Sequence, residues 1–256
     1  LHYPLRRQRQ MCIRDRISHL HADHYLGIGG IIQTLAFNGH KKQLEFHGPI
    51  GLKKLVNFFI SWSGVPVEFP VKISEGTAGR IYEDHNLTVD TFPLEHGIEA
   101  FGHVITEKVD YNLDNKKLKK HGLLNSPLCR TLKEYGYIKH QGKTIQIEDV
   151  AKPLRKPLKL VIVMDSTPCK SIEENAKNAD LLICESTFSE ELKQKAHEYG
   201  HMTSKDAARI AKKAGVKKLV LMHYSSRHDD EKLLEKEARE IFKNTDAAHD
   251  FYKTII

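Results

Sequence analysis

The sequence is short of the features that would place it outside the ordinary globular proteins. Its four cysteines are scattered over 256 residues without a CxxC pair, so we expect reduced structural thiols. The longest apolar stretch, Leu158 to Met164, is broken by Lys159 and is far below the ~20 residues that span a bilayer. Glycine and proline, at 16 and 9 residues, show no excess that would indicate disorder. These absences exclude a transmembrane helix, a disulfide-stapled mini-protein and a disordered chain.

The N-terminus also lacks the build of a secretory signal, because its arginines are not followed by a sustained apolar region. We therefore expect a cytoplasmic location and no membrane contact.

The sequence is rich in histidine, with 16 residues, and has a net charge of +7. Most of the basic excess lies between Glu107 and Arg155, where eleven Lys and Arg residues accompany six Asp and Glu. Such a segment permits a polyanionic partner without demonstrating one.

The periodicity of apolar residues divides the chain into segments. Residues 1–16 follow neither the strand period nor the helical one, and RRQRQMCIRDR resembles translated sequencing-adapter sequence, so we expect this segment to be artefactual and unstructured. Beyond it, residues 17–256 read as one domain. Gly27–Phe37 and residues 51–62 have helical spacing, whereas Leu44–Gly48 and residues 67–105 predict strands. Apolar strands near 158–165, 180–186 and 217–224 then alternate with charged helical patterns, which is typical of βα units. The lysine-rich segment 107–150 lacks a sustained apolar period and is predicted to be an insertion.

The strongest chemical signal is the motif His19-Leu20-His21-Ala22-Asp23-His24. It places three imidazoles and a carboxylate on one turn ahead of a predicted helix, and such nitrogen and oxygen ligands suit zinc. The alternative is a solvated histidine-rich loop. Clustering of metal-competent side chains favours the metal site.

Further metal-competent residues follow the ends of later strands. His96 closes the stretch of strands, Asp165 ends one apolar strand and His223 ends another. Because the carboxyl ends of such strands meet at one rim of a sheet, these side chains are expected to converge. Taken singly, each histidine is as well explained by a structural hydrogen bond, and Asp165 by a helix N-cap.

From Ile17 to the C-terminus the sequence resembles the metallo-β-lactamase superfamily and, within it, the ribonuclease Z (tRNase Z) family. The motif ISHLHADH resembles the superfamily's metal motif. The family's later blocks are matched in order by PLEHGIEAFGHVI (93–105), MDSTPC (164–169), ADLLICESTF (179–188), HMTSKDAARIAKKAG (201–215) and LVLMHYSSRH (219–228). Met164 and Ser166 replace the family's Gly and Thr around Asp165, and Ser126-Pro127 replaces its Gly-Pro pair.

The resemblance implies an α/β fold, the metallo-β-lactamase αββα sandwich, with a small basic inserted arm. It implies one zinc ion held by His19, His21 and His96, a second held by Asp23, His24 and His223, and Asp165 as the bridge between them. Mn²⁺ is the alternative metal, since such ligand sets accept both. The implied reaction is hydrolysis that removes the 3′ trailer of precursor tRNA and leaves a 3′-hydroxyl, with Asp23 as ligand and base. His201 matches the family's general acid, and Glu185 matches the carboxylate that orients it. The alternative for His201 is a residue that merely precedes a helix cap. The alternative for Glu185 is a carboxylate at a strand end that faces water.

The segment 107–150 occupies the place of the family's tRNA-gripping arm. Its candidate RNA-binding residues are Lys116, Lys117, Lys119, Lys120, Arg130, Lys133, Lys139 and Lys143. Lysines that neutralise phosphates give sequence-independent affinity, although a charge run is usually only a solvated face. Tyr135 and Tyr137 are candidates for stacking on bases or for packing within the arm.

Two further expectations come from the resemblance. The family's first strands have no counterpart ahead of residue 17, so we expect a truncated chain with an exposed sheet edge; the family also implies a homodimer. The rival functions are another hydrolase of the same fold, acting on a small ester, thioester or phosphodiester, and an inactive RNA-binding fragment.

Overall fold

Short strands separated by polar turns build two main sheets with helices on their outer faces, and two further sheets of two strands each. The structure is a computed structural model and describes residues 13–76, 78–227 and 230–256. Within these ranges the strands are β1 Ile13–Arg16, β2 Leu44–Gly48, β3 Val71–Glu75, β4 Gly79–Glu83, β5 Leu87–Glu95, β6 Glu99–Glu107, β7 Tyr111–Leu113, β8 Tyr137–His140, β9 Lys143–Gln146, β10 Ala151–Pro153, β11 Lys159–Val163, β12 Leu181–Glu185, β13 Lys218–Met222 and β14 Thr245–Ala247.

The α-helices of the described residues are α1 Ala22–Tyr25, α2 Gly27–Phe37, α3 Leu52–Ser61, α4 Asn115–Lys120, α5 Leu128–Tyr135, α6 Ile147–Val150, α7 Lys170–Ala176, α8 Lys193–Glu198, α9 Ser204–Ala214 and α10 Glu231–Arg239, with a 3-10 turn at Glu190–Leu192. None of the helices in these ranges combines the length and the apolar character needed to cross a bilayer.

The smaller sheet has three parallel strands in the order β1-β2-β3. Helices α2 and α3 cover it through a core that includes Ile32, Leu44, Phe46, Leu52 and Val56. Their close approach depends on a glycine, because a Cβ on Gly29 would lie 2.8 Å from the Phe59 ring. The sequence prediction of α2 and β2 is confirmed at both ends of each element.

The larger sheet has seven strands in the order β14-β13-β12-β11-β6-β5-β4. Strands β11 to β14 are parallel, and β4, β5 and β6 are antiparallel. Helices α7, α9 and α10 pack on its outer face around buried residues such as Val161, Ile172, Leu182, Ala207 and Leu234. This arrangement gives the layers helix, sheet, sheet, helix, and parallel strands β11 to β13 end at one common rim.

Part of the N-terminal prediction is wrong. Ile13–Arg16 form β1, which pairs in parallel register with residues 44–47 of β2. A ladder needs only backbone groups, and the Ile17 N–H continues it by donating to the His47 carbonyl at 2.8 Å. Arg14 also donates to Glu45 across the pair. The rest of that predicted segment, residues 1–12, and His228 of the LVLMHYSSRH block lie outside the described residues.

The lysine-rich insertion has a hydrophobic core of its own. The apolar side chains of Leu118, Leu123, Leu132, Ile138, Ile145, Ile147 and Val150 form this core. The pairing of β7 with β10 closes its base, where the Leu154 N–H donates to the Asp110 carbonyl at 2.8 Å. Glu107 still belongs to β6 of the large sheet, and the insertion's last strand ends at Pro153. We call residues 111–153 the arm.

A cavity of about 500 Å³ lies between β1 and the larger sheet. Apolar side chains of β5, β6 and β11, including Val89, Ile105 and Ile162, line it together with Arg14 and Arg16. The inner face of the large sheet is therefore only partly covered at this position.

Candidate metal centre

The histidine motif lies on the loop that follows β1 and passes between the two sheets. The Phe101 N–H donates to the Ser18 carbonyl at 2.9 Å, which ties this loop to β6. His21 is the residue before α1, and the short helix turns Asp23 and His24 back toward it; the His24 N–H donates to the His21 carbonyl at 3.0 Å. One loop therefore presents four metal-competent side chains in two directions.

The remaining candidate ligands come from strand ends of the larger sheet. His96 directly follows β5, Asp165 lies two residues beyond β11, and His223 directly follows β13. His223 adopts a left-handed backbone conformation, with φ of 59°, at a cost of roughly 1–2 kcal/mol for a non-glycine residue. Hydrogen bonds on both sides hold this turn, because the Ser186 N–H donates to Met222 and the Ser225 N–H donates to Thr187.

The seven predicted ligands fall into two groups, and a third group, which contains His201, links them. One contains His19, His21, His96 and Asp165; another contains Asp23, His24 and His223; Asp165 also lies with His223 and His201. In each group the possible ligand atoms lie within 4.8 Å of one another. Asp165 is therefore placed between the two sets, as the bridging role requires.

The distances around Asp165 are those of ligands that share an ion. Its Oδ2 atom lies 3.5 Å from Nε2 of His19 and of His96 and 3.3 Å from Nε2 of His24, and its Oδ1 atom lies 3.2 Å from Nε2 of His223. Tetrahedral zinc with bonds near 2.0–2.1 Å separates its ligand atoms by about 3.3 Å. The spacing of these atoms therefore matches that of ligand atoms bound to the same metal ion.

The buried atoms of the cluster also fit a metal ion. His19 Nε2 and Asp165 Oδ1 are buried and make no hydrogen bond to any residue that the structure describes. A buried polar atom without a partner is costly, and a cation would satisfy both atoms. The nitrogen and oxygen donor set matches zinc or manganese.

Hydrogen bonds behind the imidazoles fix their orientation. Nδ1 of His96 donates to the Gly200 carbonyl at 2.8 Å, and Nδ1 of His19 is hydrogen-bonded to Ser18 Oγ at 3.0 Å. With Nδ1 engaged, Nε2 is the nitrogen that faces Asp165 in both rings. Such outer contacts are the usual support of metal-binding histidines.

Burial and charge favour the metal-binding protonation states of His19 and Asp165. Burial lowers the pKa of His19 to about 3, so this imidazole is neutral at physiological pH. Burial raises the pKa of Asp165, but its hydrogen bond with His24 and the nearby His223 outweigh burial and hold the pKa below its ordinary value. A neutral imidazole and an ionised carboxylate are the forms that ligate a cation.

Glu185 and His201 form a hydrogen-bonded pair beside the cluster. Glu185 is the last residue of β12 and is fully buried, and His201 lies on the loop between α8 and α9. His201 Nδ1 donates to Glu185 Oε1 at 3.0 Å. Burial lowers the pKa of His201, but the hydrogen bond and charge of Glu185 raise it above its ordinary value overall. These contacts engage Nδ1 and leave Nε2 able to exchange a proton with a bound molecule.

An open pocket of about 420 Å³ gives access to these residues. His21, Asp23, His96, Asp165, His201 and His223 line it, together with Thr187, Phe188, Tyr199, Ser225 and Arg227, which the sequence reasoning did not assign. Asp23 is among the exposed predicted ligands, with 72% of its side chain accessible. Four of these additional residues lie inside sequence blocks that resemble the family's: Thr187 and Phe188 in ESTF, and Ser225 and Arg227 in HYSSRH. Their positions in these blocks could have indicated from the sequence that they line the site.

The predicted RNA-binding residues lie on the surface of the arm, away from this pocket. Lys116, Lys119, Lys120, Arg130, Lys133, Lys139 and Lys143 are exposed and Lys117 is half-buried. Tyr135 and Tyr137 are also largely exposed, at 65% and 53%. Packing within the arm therefore does not account for these tyrosines.

Comparison with known proteins identifies the family. No family model matches the chain. Ribonuclease Z of Bacillus cereus is 39% identical over 239 residues, which cover 91% of this chain and 78% of that protein. The structure aligns with human tRNase Z, short form, with a TM-score of 0.63 at 21% identity, covering 93% of this chain and 77% of the human one. It aligns with the metallo-β-lactamase fold protein YhfI from Bacillus subtilis with a TM-score of 0.60 at 20% identity, covering 92% and 73% of the two chains. These likenesses confirm the predicted sandwich, and the sequence identity shows that the chain belongs to the ribonuclease Z family.

Proposed function

We propose that this chain hydrolyses one phosphodiester bond of precursor tRNA, removes the 3′ trailer and leaves a 3′-hydroxyl on the tRNA. The observation that carries the proposal is the convergence of seven metal-competent side chains, from one loop and three strand ends, with the buried Asp165 between the other six. Membership of the ribonuclease Z family supports an endoribonuclease of tRNA 3′ processing.

The metal centre is proposed to hold two zinc ions, with manganese as the alternative. His19, His21 and His96 would bind one ion, Asp23, His24 and His223 the other, and Asp165 both. Such a pair of ions, when bound, stabilises charge on the phosphate and lowers the pKa of water.

The protein's own groups then handle the protons. In this proposal Asp23 accepts a proton from the attacking water, a role that its exposure at the pocket supports. His201 gives a proton to the leaving 3′ oxygen of the ribose in this proposal, and its hydrogen bond with Glu185 supports that role. Its raised pKa keeps more of the imidazole protonated near neutral pH than an ordinary histidine would be.

The arm is proposed to bind the body of the tRNA at a distance from the cleaved bond. Residues 111–153 carry nine Lys and Arg against four Asp and Glu. Because these cations sit on a separately packed unit, they can contact phosphates without disturbing the metal centre. A homodimer, as the family resemblance implies, is part of the proposal and is tested by the mass of the protein in solution.

Cleavage of a 3′-extended precursor tRNA by the purified chain tests the function. We expect zinc-dependent cleavage after the discriminator nucleotide, which His21→Ala abolishes. A second substrate, bis(p-nitrophenyl) phosphate, separates the rivals. An arm deletion, with residues 111–153 replaced by a short linker, should abolish tRNA cleavage and spare hydrolysis of this small ester.

Two results would contradict the proposal. Hydrolysis of small esters without tRNA cleavage by the full chain favours another hydrolase of the same fold. Binding of tRNA by a protein that takes up no metal and cleaves neither substrate favours an inactive RNA-binding fragment.

A further inference from the structure

The Thr187 side chain lies at the junction of three residues of the proposed site. Its Oγ1 atom is 2.6 Å from Glu185 Oε2, 3.0 Å from His223 Nδ1 and 3.2 Å from His201 Nδ1. Only 7% of the residue is exposed, so these contacts are largely shielded from water. Thr187 follows β12 and takes no part in the mechanism described above.

The number of protons determines the direction of each hydrogen bond. A hydroxyl has one proton to donate and two lone pairs to accept with, whereas an ionised carboxylate only accepts. The 2.6 Å separation from Glu185 Oε2 is typical of a hydroxyl that donates to a carboxylate. The hydroxyl oxygen must therefore accept from the imidazoles, so Nδ1 of His223 carries the proton.

This assignment fixes the tautomer of His223. With the proton on Nδ1, its Nε2 atom presents a lone pair, and this atom lies 3.2 Å from Asp165 Oδ1 at the proposed metal site. That is the tautomer a metal-binding histidine needs.

Glu185 is the anchor of the same network. Its Oε1 atom accepts from His201 Nδ1 and from the Ser166 N–H at 2.8 Å, and its Oε2 atom accepts from the hydroxyl and the N–H of Thr187. Ser166 directly follows Asp165 in the chain. The buried carboxylate thus contacts the proposed acid directly and reaches the metal ligand His223 only through Thr187.

We infer that Thr187 is a positioning residue whose hydroxyl lets one carboxylate, Glu185, orient both the proton donor His201 and the metal ligand His223. The inference rests on the proposed function for the roles of these two histidines. Removing the hydroxyl leaves His223 Nδ1 without its acceptor and Glu185 without one donor. Loss of such an outer partner typically lowers metal affinity or activity 10- to 100-fold.

A pair of substitutions isolates the hydroxyl. Thr187→Val keeps the shape of the side chain and removes the hydroxyl, whereas Thr187→Ser keeps the hydroxyl and removes the methyl group. Zinc affinity is measured by competition with a chelator, the Co²⁺-substituted protein is followed by its visible absorption, and kcat and KM are measured on 3′-extended precursor tRNA.

In Thr187→Val we expect one of the two ions to bind about 10- to 100-fold more weakly, a changed cobalt spectrum, and a lower kcat at unchanged KM. Thr187→Ser should restore all three to within about threefold of the original protein. His223→Ala gives the reference for complete loss of the ligand.

Unchanged metal affinity and cobalt spectrum in Thr187→Val would overturn the inference, and so would equal damage in Thr187→Ser, which would assign the effect to the methyl group. If Thr187→Val does not fold, Thr187→Ala provides the same contrast with Thr187→Ser. The metal readouts do not depend on the RNA. Failure of the original protein to cleave tRNA would therefore refute the proposed function while the metal measurements still decide the role of Thr187.

Discussion

The arm predicts a specific dependence of tRNA binding on salt. Helix α4 carries Lys116, Lys117, Lys119 and Lys120, of which three are exposed and Lys117 is half-buried. Leu118 anchors the helix in the arm core, so the lysines can be replaced without removing its packing. We expect a variant with all four changed to glutamine, a good helix former, to keep its fold and lose its electrostatic contacts with phosphates.

The size of the effect follows from the number of cations. Each phosphate contact contributes about 0.7–0.9 to the slope of log affinity against log salt, so four contacts contribute about 3. Between 50 and 200 mM salt, a change of about 0.6 log units, these contacts weaken the original protein by roughly 50- to 150-fold. The slope of log affinity against log salt should therefore be smaller by about 3 in the variant than in the original protein.

Filter binding of 3′-extended precursor tRNA over a salt series measures this slope. The matched control replaces four exposed lysines on or beside α7, α9 and α10, Lys177, Lys212, Lys232 and Lys236, with glutamine. If both variants show the same slope, net charge alone explains binding and the arm has no specific role in it. Hydrolysis of bis(p-nitrophenyl) phosphate should be unchanged in both proteins.

Three further predictions concern the core, the arm and the metal ligands. Burial lowers the pKa of His103 to about 4, below its unfolded value near 6.5, so its contribution to stability is complete above pH 6.5 and is lost as the pH falls to 4. Between pH 6.5 and 4, the free energy of unfolding in urea should fall by about 3 kcal/mol more in the original protein than in His103→Gln. Parallel curves of this free energy against pH would contradict the prediction. Leu132→Ala should destabilise the arm by about 2–5 kcal/mol, seen as faster amide exchange in the arm but not in the large sheet. Asp165→Ala should bind fewer than two zinc ions per chain by elemental analysis, and two retained ions would exclude its bridging role.

Much of the framework was predictable because its signals are local. The helical spacing of residues 27–37 and the short apolar run of Leu44–Gly48 each lie within one element, and both elements form where predicted. The strand-end positions of His96, Asp165 and His223 indicated one rim. Spacing alone left each of them with a structural alternative, and the family resemblance was needed to assign them.

The rest depends on contacts between distant parts of the chain. Strand β1 forms through backbone pairing with β2, about 30 residues away, and its side chains give no periodic signal. The arm core takes one or two apolar residues from each of several short elements, so no window of the sequence shows it. The hydrogen bond from His96 to Gly200 spans 104 residues, and that of Thr187 with His223 spans 36. The spacing of apolar residues along the chain does not indicate hydrogen-bond partners that are so far apart in the sequence.

We propose that the seven converging side chains hold two metal ions, one on each side of Asp165. Anomalous diffraction at the zinc edge, from crystals of the purified chain grown with zinc, locates such ions. We expect two peaks about 3.5–4 Å apart, one among His19, His21 and His96 and the other among Asp23, His24 and His223. No peak at these side chains, or a single peak that does not involve Asp165, would contradict it.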